Sequence, residues 1–196
     1  VATHRLAPLP ARRGHFRLES GYHTDTWLTL DALFASPSRV APLVSALAAR
    51  LEVHGPTAVC GPYAGGAFLA QAVATVLDVE FYYSERFVGD DLANTLFSAE
   101  YRLPAGLASE VKGRRVAVVD DAVSAGSSAR ATVAALEAAD ASIAAVGTFL
   151  LLGDAARTHF AAAGVPVEAL EQRTLPLWQP EECPLCVSRV PLEDRR

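Results

Sequence analysis

The sequence predicts an α/β fold built on a central, mostly parallel sheet flanked by helices. Three observations predict it. Short apolar runs of strand length alternate with stretches of helical periodicity through the middle of the chain. The run 115–119 is almost uninterruptedly apolar, as a buried strand is. Turns rich in glycine or serine separate strands from helices, in the order that parallel strands with right-handed crossovers require.

The elements follow in order. After an irregular start, residues 16–30 mix aromatics, threonine and glycine, which predicts short strands around a turn at Ser20-Gly21. Ser36-Pro37 opens a helix carrying Val40, Leu43, Val44, Leu47 and Leu51 at helical spacing. Residues 57–60 form a short strand ending in Gly61-Pro62. Gly65-Gly66 and a helix through Leu69, Val73, Val76 and Leu77 come next, giving strand, glycine loop, helix. Residues 80–83 are a further strand. From 87 to 110 periodicity is weak, which predicts a long loop with a hairpin in it, and loops of that length tend to be functional. A strand at 115–119, an alanine-rich helix at 129–139, a strand at 143–151, a helix at 155–163 and a strand at 165–170 complete the alternation. The proline-rich tail from Leu175, with Trp178 and Cys183-Pro184-Leu185-Cys186, is expected to cap the domain.

With 196 residues, 51% of them apolar, the chain has enough material for one well-buried core, and a single domain is expected. No apolar run reaches the roughly 20 residues of a membrane span, and the first residues lack the apolar stretch of a signal peptide. A cytoplasmic location is the expectation, and three cysteines, two of them close together, fit a reducing compartment. The net charge of −5 argues against broad nucleic-acid binding but allows one small anionic ligand. Lys112 is the only lysine, so any phosphate-binding cation must be an arginine, which holds phosphate well and donates protons poorly.

The chemistry concentrates in one segment. Arg115-Val116-Ala117-Val118-Val119-Asp120-Asp121-Ala122-Val123-Ser124-Ala125-Gly126-Ser127-Ser128 sets two adjacent carboxylates at the expected end of a buried strand. Ligands of open parallel sheets bind at those carboxyl ends. The small and hydroxyl residues that follow lead into a helix, where unpaired backbone N–H groups and serine hydroxyls can surround a phosphate. The acids suit a diol, or a metal bound through one or two carboxylates and the ligand's own oxygens. A sugar phosphate carrying Mg²⁺-bound pyrophosphate meets both demands. No Walker lysine and no Gly-x-Gly-x-x-Gly fingerprint is present in the glycine loops.

This segment resembles the 5-phosphoribosyl-1-pyrophosphate (PRPP) signature of type I phosphoribosyltransferases. Gly14-His15-Phe16-Arg17-Leu18-Glu19-Ser20-Gly21-Tyr22-His23-Thr24-Asp25 is similar to the amino-terminal hood of the orotate enzymes, and Gly61-Pro62-Tyr63-Ala64-Gly65-Gly66-Ala67 to their pyrophosphate loop. The resemblance implies a type I phosphoribosyltransferase fold spanning 1–196, with a small hood from about 14–35 plus 171–196 and a core of about 36–170. It implies that Asp120 and Asp121 hold the ribose hydroxyls, with Mg²⁺ carried on the PRPP oxygens and within reach of both acids. Ala122 and Val123 would bind PRPP next to the acids, and Ser124, Ala125, Gly126, Ser127 and Ser128 would cradle the 5-phosphate. Tyr63, Ala64, Gly65 and Gly66 would bind pyrophosphate, with Glu85 and Arg86 beside it. Ser20, His23 and Asp25 would face the base. Two subunits would share the site, with no part for nucleic acid or membrane.

The chain also departs from the orotate pattern. The lysines and histidine of the family's mobile loop are missing between Arg86 and Lys112, leaving Arg86 and Arg102 as the available catalytic cations. Where the family places an arginine for the carboxylate of orotate, the chain reads Gly153-Asp154, with Arg157 as a displaced substitute. Orotate is the default acceptor. A different nitrogenous base, or a PRPP-binding regulator without catalysis, stands as the alternative. Cys183 and Cys186 make half a zinc site or a redox pair, and packing of the tail is the preferred reading, since a closed zinc site needs four ligands.

Overall fold

The computed structural model describes residues 11–18, 21–87 and 100–194. Its core is a six-stranded sheet. The strands are β3 (Ala58–Pro62), β4 (Glu80–Phe87), β5 (Glu100–Arg102), β6 (Arg115–Val123), β7 (Ser142–Leu152) and β8 (Val167–Arg173). Their order is β5-β4-β3-β6-β7-β8, and every neighbouring pair is parallel except β4 with β5. The chain therefore reverses its direction of travel across the sheet between β3 and β6, and the crevice at such a reversal is where open α/β sheets place ligands.

Helices cover both faces because side chains alternate along each strand. Along β6, Ala117 and Val119 join one apolar cluster with Leu47, Leu51, Leu69, Val73 and Phe149, under α2 (Pro37–Glu52) and α3 (Gly65–Leu77). Val116 and Val118 join the other, with Leu136, Val146, Leu151 and Phe160, under α5 (Ser127–Ala138) and α6 (Ala155–Ala162). The short helices α1 (Asp31–Phe34) and α4 (Ala105–Ala108) fill connections. Helix α2 buries Val40, Val44, Leu47, Ala48 and Leu51, a stripe at the helical repeat. Each fully buried Leu contributes about 1.5–3 kcal/mol relative to an exposed one. Between the sheet and α5, the fully buried hydroxyls of Ser84 and Thr132 satisfy each other at 2.7 Å.

A second, three-stranded sheet forms the hood. Strands β1 (Ala11–Arg17) and β2 (His23–Leu28) pair antiparallel, and β9 (Glu193–Asp194) joins β1 in parallel. The tail reaches it through a 3-10 turn (Pro180–Glu182) and α7 (Pro184–Val187). Trp178 and His23 exchange backbone hydrogen bonds at 2.8 and 2.9 Å, which stitches the tail to β2.

Several boundaries differ from the sequence expectation. Strand β6 does not stop at residue 119: it continues through both acids to Val123, whose partner is Leu151, because β7 remains alongside it. Strand β4 runs four residues beyond 83 because its end pairs with β5 as a hairpin. That hairpin lies within the stretch read as a long loop, and its connection, residues 88–99, falls outside the described residues. The last core strand begins two residues later than expected and runs to Arg173, paired to Leu152.

Candidate active site

The end of β6 carries the two acids, and strand geometry sends them to opposite faces. Asp120 turns toward α5, where the Ser128 hydroxyl donates to its Oδ2 at 2.9 Å. Asp121 turns toward the start of α3: a Cβ built on Gly65 would lie 2.9 Å from its Oδ2. Both carboxylates also accept from the next backbone N–H, Asp121 N to Asp120 Oδ1 at 3.0 Å and Ala122 N to Asp121 Oδ1 at 2.7 Å. Asp120 is 8% exposed. Burial, and then the charge of Asp121, push its carboxyl well above the ordinary Asp value, against the pull of the Ser128 and Asp121 donors.

The loop from Ala122 to Ser128 leads into α5. Gly126 has φ 77°, a left-handed conformation that a side chain would strain, and a Cβ there would come within 3.2 Å of the Ala156 Cβ. With glycine at its N-cap, α5 has no side-chain cap on its first amides. Those amides and the positive helix end face the loop, which is an anion-binding arrangement. Among the residues expected to bind PRPP, Val123 has its side chain buried in the core, so only its backbone can serve. The Ser128 hydroxyl is committed to Asp120. The Arg130 guanidinium, one turn into α5, donates to the Ala125 carbonyl. Sequence reasoning missed this cation; its position four residues after Gly126, on the first turn, was the available signal.

The glycine loop after β3 forms the facing wall. Tyr63 N donates to Ser84 O at 2.8 Å, the peptide between Tyr63 and Ala64 is cis, and α3 starts at Gly65. A Cβ on Gly66 would meet Pro62 Cδ at 2.6 Å and Val119 O at 2.9 Å, so the backbone here lies directly against β6. Tyr63 is exposed.

The remaining expected residues divide. Arg86 is an exposed residue near the end of β4, two positions past the carbonyl that holds Tyr63, and Glu85 precedes it. Arg102 is bonded to Glu100 at 2.8 Å, with its guanidinium 3.6 Å from the Phe87 ring centroid, and it lines a groove of about 650 Å³ between β5 and the later turns of α5. That groove follows Ala131, Ala134, Ala135 and Ala138, away from the acids, so Arg102 is a weaker candidate for the donor than the sequence implied. Ser20 lies outside the described residues. Asp25 is held by Arg13 Nη1 at 2.5 Å and accepts from the Thr26 hydroxyl at 2.6 Å. His23, expected to face the base, is 4% exposed, and its Nδ1 lies 3.0 Å from His15 Nε2 and 3.3 Å from Cys186 Sγ inside the hood. Burial, with the neighbouring His15, lowers its pKa. Arg157 donates to Val167 O at 3.0 Å and is tied to β8 instead of the strand end at Gly153.

A doubly wound sheet with acids on one strand end, facing a glycine loop from the next, defines a class that comparison with known proteins identifies. The profile of the phosphoribosyl transferase domain matches residues 29–165, and the chain belongs to that family of transferases. Its curated relatives include the orotate phosphoribosyltransferases of Caldanaerobacter subterraneus subsp. tengcongensis, 32% identical over 92% of this chain and 87% of that one, and of Thermotoga maritima, 31% identical over 92% and 88%. Among solved structures, the orotate phosphoribosyltransferase of Aeropyrum pernix superposes with a TM-score of 0.63 at 21% identity, covering 83% of this chain and 87% of that one, which establishes the shared fold.

Proposed function

We propose that the protein transfers ribose 5-phosphate from PRPP to orotate, releasing pyrophosphate. The observation that carries this reading is the meeting of β6 with the glycine loop: the Asp121 carboxylate lies against Gly65, which brings an acid expected to hold the sugar next to backbone expected to hold pyrophosphate. Curated relatives named for orotate, matching 92% of the chain, support the choice of base.

In this reading Asp120 and Asp121 accept hydrogen bonds from the ribose hydroxyls. The first-turn amides of α5 and the loop from Ser124 to Ser128 hold the 5-phosphate, with Arg130 beside them. The backbone of Tyr63, Ala64, Gly65 and Gly66 holds the pyrophosphate, and Arg86, near the end of the adjoining strand β4, supplies a cation. No side chain attacks: the transition state has positive charge spread over the ribose, as in other glycosyl transfers, and the protein contributes by positioning the two reactants. Inversion at the anomeric carbon follows from direct displacement. Mg²⁺ fits the donor set, because Asp121 and Asp120, whose carboxyl pKa is raised first by burial and then by the charge of Asp121, offer oxygen ligands whose negative charge a hard cation would relieve. When bound it neutralises charge on the leaving pyrophosphate. The enzyme is read as one domain, core plus hood, working in the cytoplasm as a dimer after the family pattern.

A second acceptor is favoured by one specific observation. Arg157 is engaged with β8 and Gly153-Asp154 offers no cation for a carboxylate, so a base without that group fits the described residues as well. A pyrophosphate-release assay with PRPP, Mg²⁺ and a panel of bases tests both. Turnover with orotate is the expected result; turnover with another base and none with orotate selects the second reading, and none with any base overturns the transferase.

A further inference from the structure

The hood contains a cluster that the transferase reaction does not use. His15 and His23 from the paired strands β1 and β2, and Cys183 and Cys186 from the tail, bring one ligand atom each to within 4.8 Å of one another. The separations are 3.0 Å between His15 Nε2 and His23 Nδ1, 3.3 Å between His23 Nδ1 and Cys186 Sγ, and 3.4 and 3.7 Å from His15 Nε2 to Cys183 and Cys186 Sγ. Zinc bonds of about 2.3 Å to sulfur and about 2.0–2.1 Å to nitrogen, set tetrahedrally, place such atoms about 3.3–3.8 Å apart. Three of these four separations fall in that range, the His15–His23 one is about 0.3 Å short of it, and the remaining two edges of the tetrahedron lie within 4.8 Å.

The surroundings agree. His15 Nδ1 lies 2.9 Å from the Val190 carbonyl, which can only accept, so Nδ1 carries the proton and Nε2 presents its lone pair to the cluster. Metal-bound histidines are oriented by such a second hydrogen bond. Both cysteines are free of disulfide, and three of the four residues are buried. Two sulfurs and two imidazole nitrogens suit zinc and do not suit Mg²⁺.

We propose that His15, His23, Cys183 and Cys186 form a closed structural zinc site that clamps the tail to the hood. Two thiols lose their protons to solvent as the zinc–sulfur bonds form; nothing is oxidised or reduced. Four protein ligands leave no open position for catalysis. The clamp fixes Trp178, whose backbone already pairs with His23, and with it the hood segment next to the expected base side.

The test uses the full chain purified under mild reductant from zinc-supplied medium. Elemental analysis is expected to return about one zinc per chain. After zinc removal, Co²⁺ is expected to give tetrahedral d–d bands with a thiolate charge-transfer band, both erased by added Zn²⁺. Cys186 is exposed, so Cys186→Ser should fold, as retained thermal cooperativity checks; its zinc affinity should fall by more than the roughly 10–100-fold that losing an outer-shell partner costs. Zinc removal should also lower the melting temperature and change Trp178 fluorescence. Absent zinc with an octahedral cobalt spectrum, unchanged zinc affinity in Cys186→Ser, or a Cys183–Cys186 disulfide in reduced wild-type protein would each overturn the proposal.

Discussion

At the scale of single residues, Asp120 is the position where function and stability pull apart. An acid whose folded pKa stands above its ordinary 3.8 binds its proton more tightly in the folded chain than in the unfolded one. Folding stability therefore falls as pH rises from 3.8 through the raised folded value, and the full cost is present above it. Asn in its place removes the charge, keeps one oxygen to accept from the Asp121 N–H and can donate its amide to the Ser128 hydroxyl oxygen. Asp120→Asn is accordingly expected to melt higher than wild type at neutral pH, with the gain shrinking toward zero as pH drops below about 4. Melting curves across that range check it; a variant that melts lower throughout contradicts the burial argument. A buried acid kept at a stability cost is what a ligand-binding carboxylate looks like.

At the scale of elements, the two glycines that open α3 have separable roles. A methyl group on Gly65 meets only the movable end of Asp121, whereas one on Gly66 meets Pro62 and the Val119 carbonyl at 2.6 and 2.9 Å. Gly65→Ala is expected to fold normally and bind PRPP at least about tenfold more weakly, roughly 1.4 kcal/mol. Gly66→Ala is expected to lose roughly 1–3 kcal/mol of stability, because backbone must move. Denaturant melts and calorimetric titration distinguish them, and the account fails here if Gly65→Ala binds donor with unchanged affinity. The sequence shows the Gly65-Gly66 pair, but its spacing to β6 is set by the parallel pairing of β3 with β6 and is not legible in the chain. The same limit explains β6 itself: Asp120-Asp121 reads as a strand end because acids are rare in buried strands, yet pairing to β7 carries the strand past them.

At the scale of the whole molecule, most of the core was legible because the helices are periodic, as from Val40 to Leu51, and the buried strands are unbroken apolar runs, as from Val116 to Val119. The hood was less so. His23 reads from sequence as a base contact, and only the tail's return over β1 and β2, 160 residues later along the chain, reveals its partners Cys183 and Cys186. Long-range closure of this kind leaves no local pattern. Arg157 illustrates the same gap on a shorter range, since it reads as an available cation and is held by the Val167 carbonyl of β8, whereas the Glu100 partner of Arg102 stands only two residues away.

The central claim is that the acids of β6 and the loop into α5 hold the phosphorylated sugar. Calorimetric titration of PRPP with Mg²⁺ into wild type and into Asp120→Asn/Asp121→Asn tests it most directly. The account predicts saturable binding to wild type and loss of measurable binding to a variant that still melts cooperatively; equal affinity in the two proteins would contradict it.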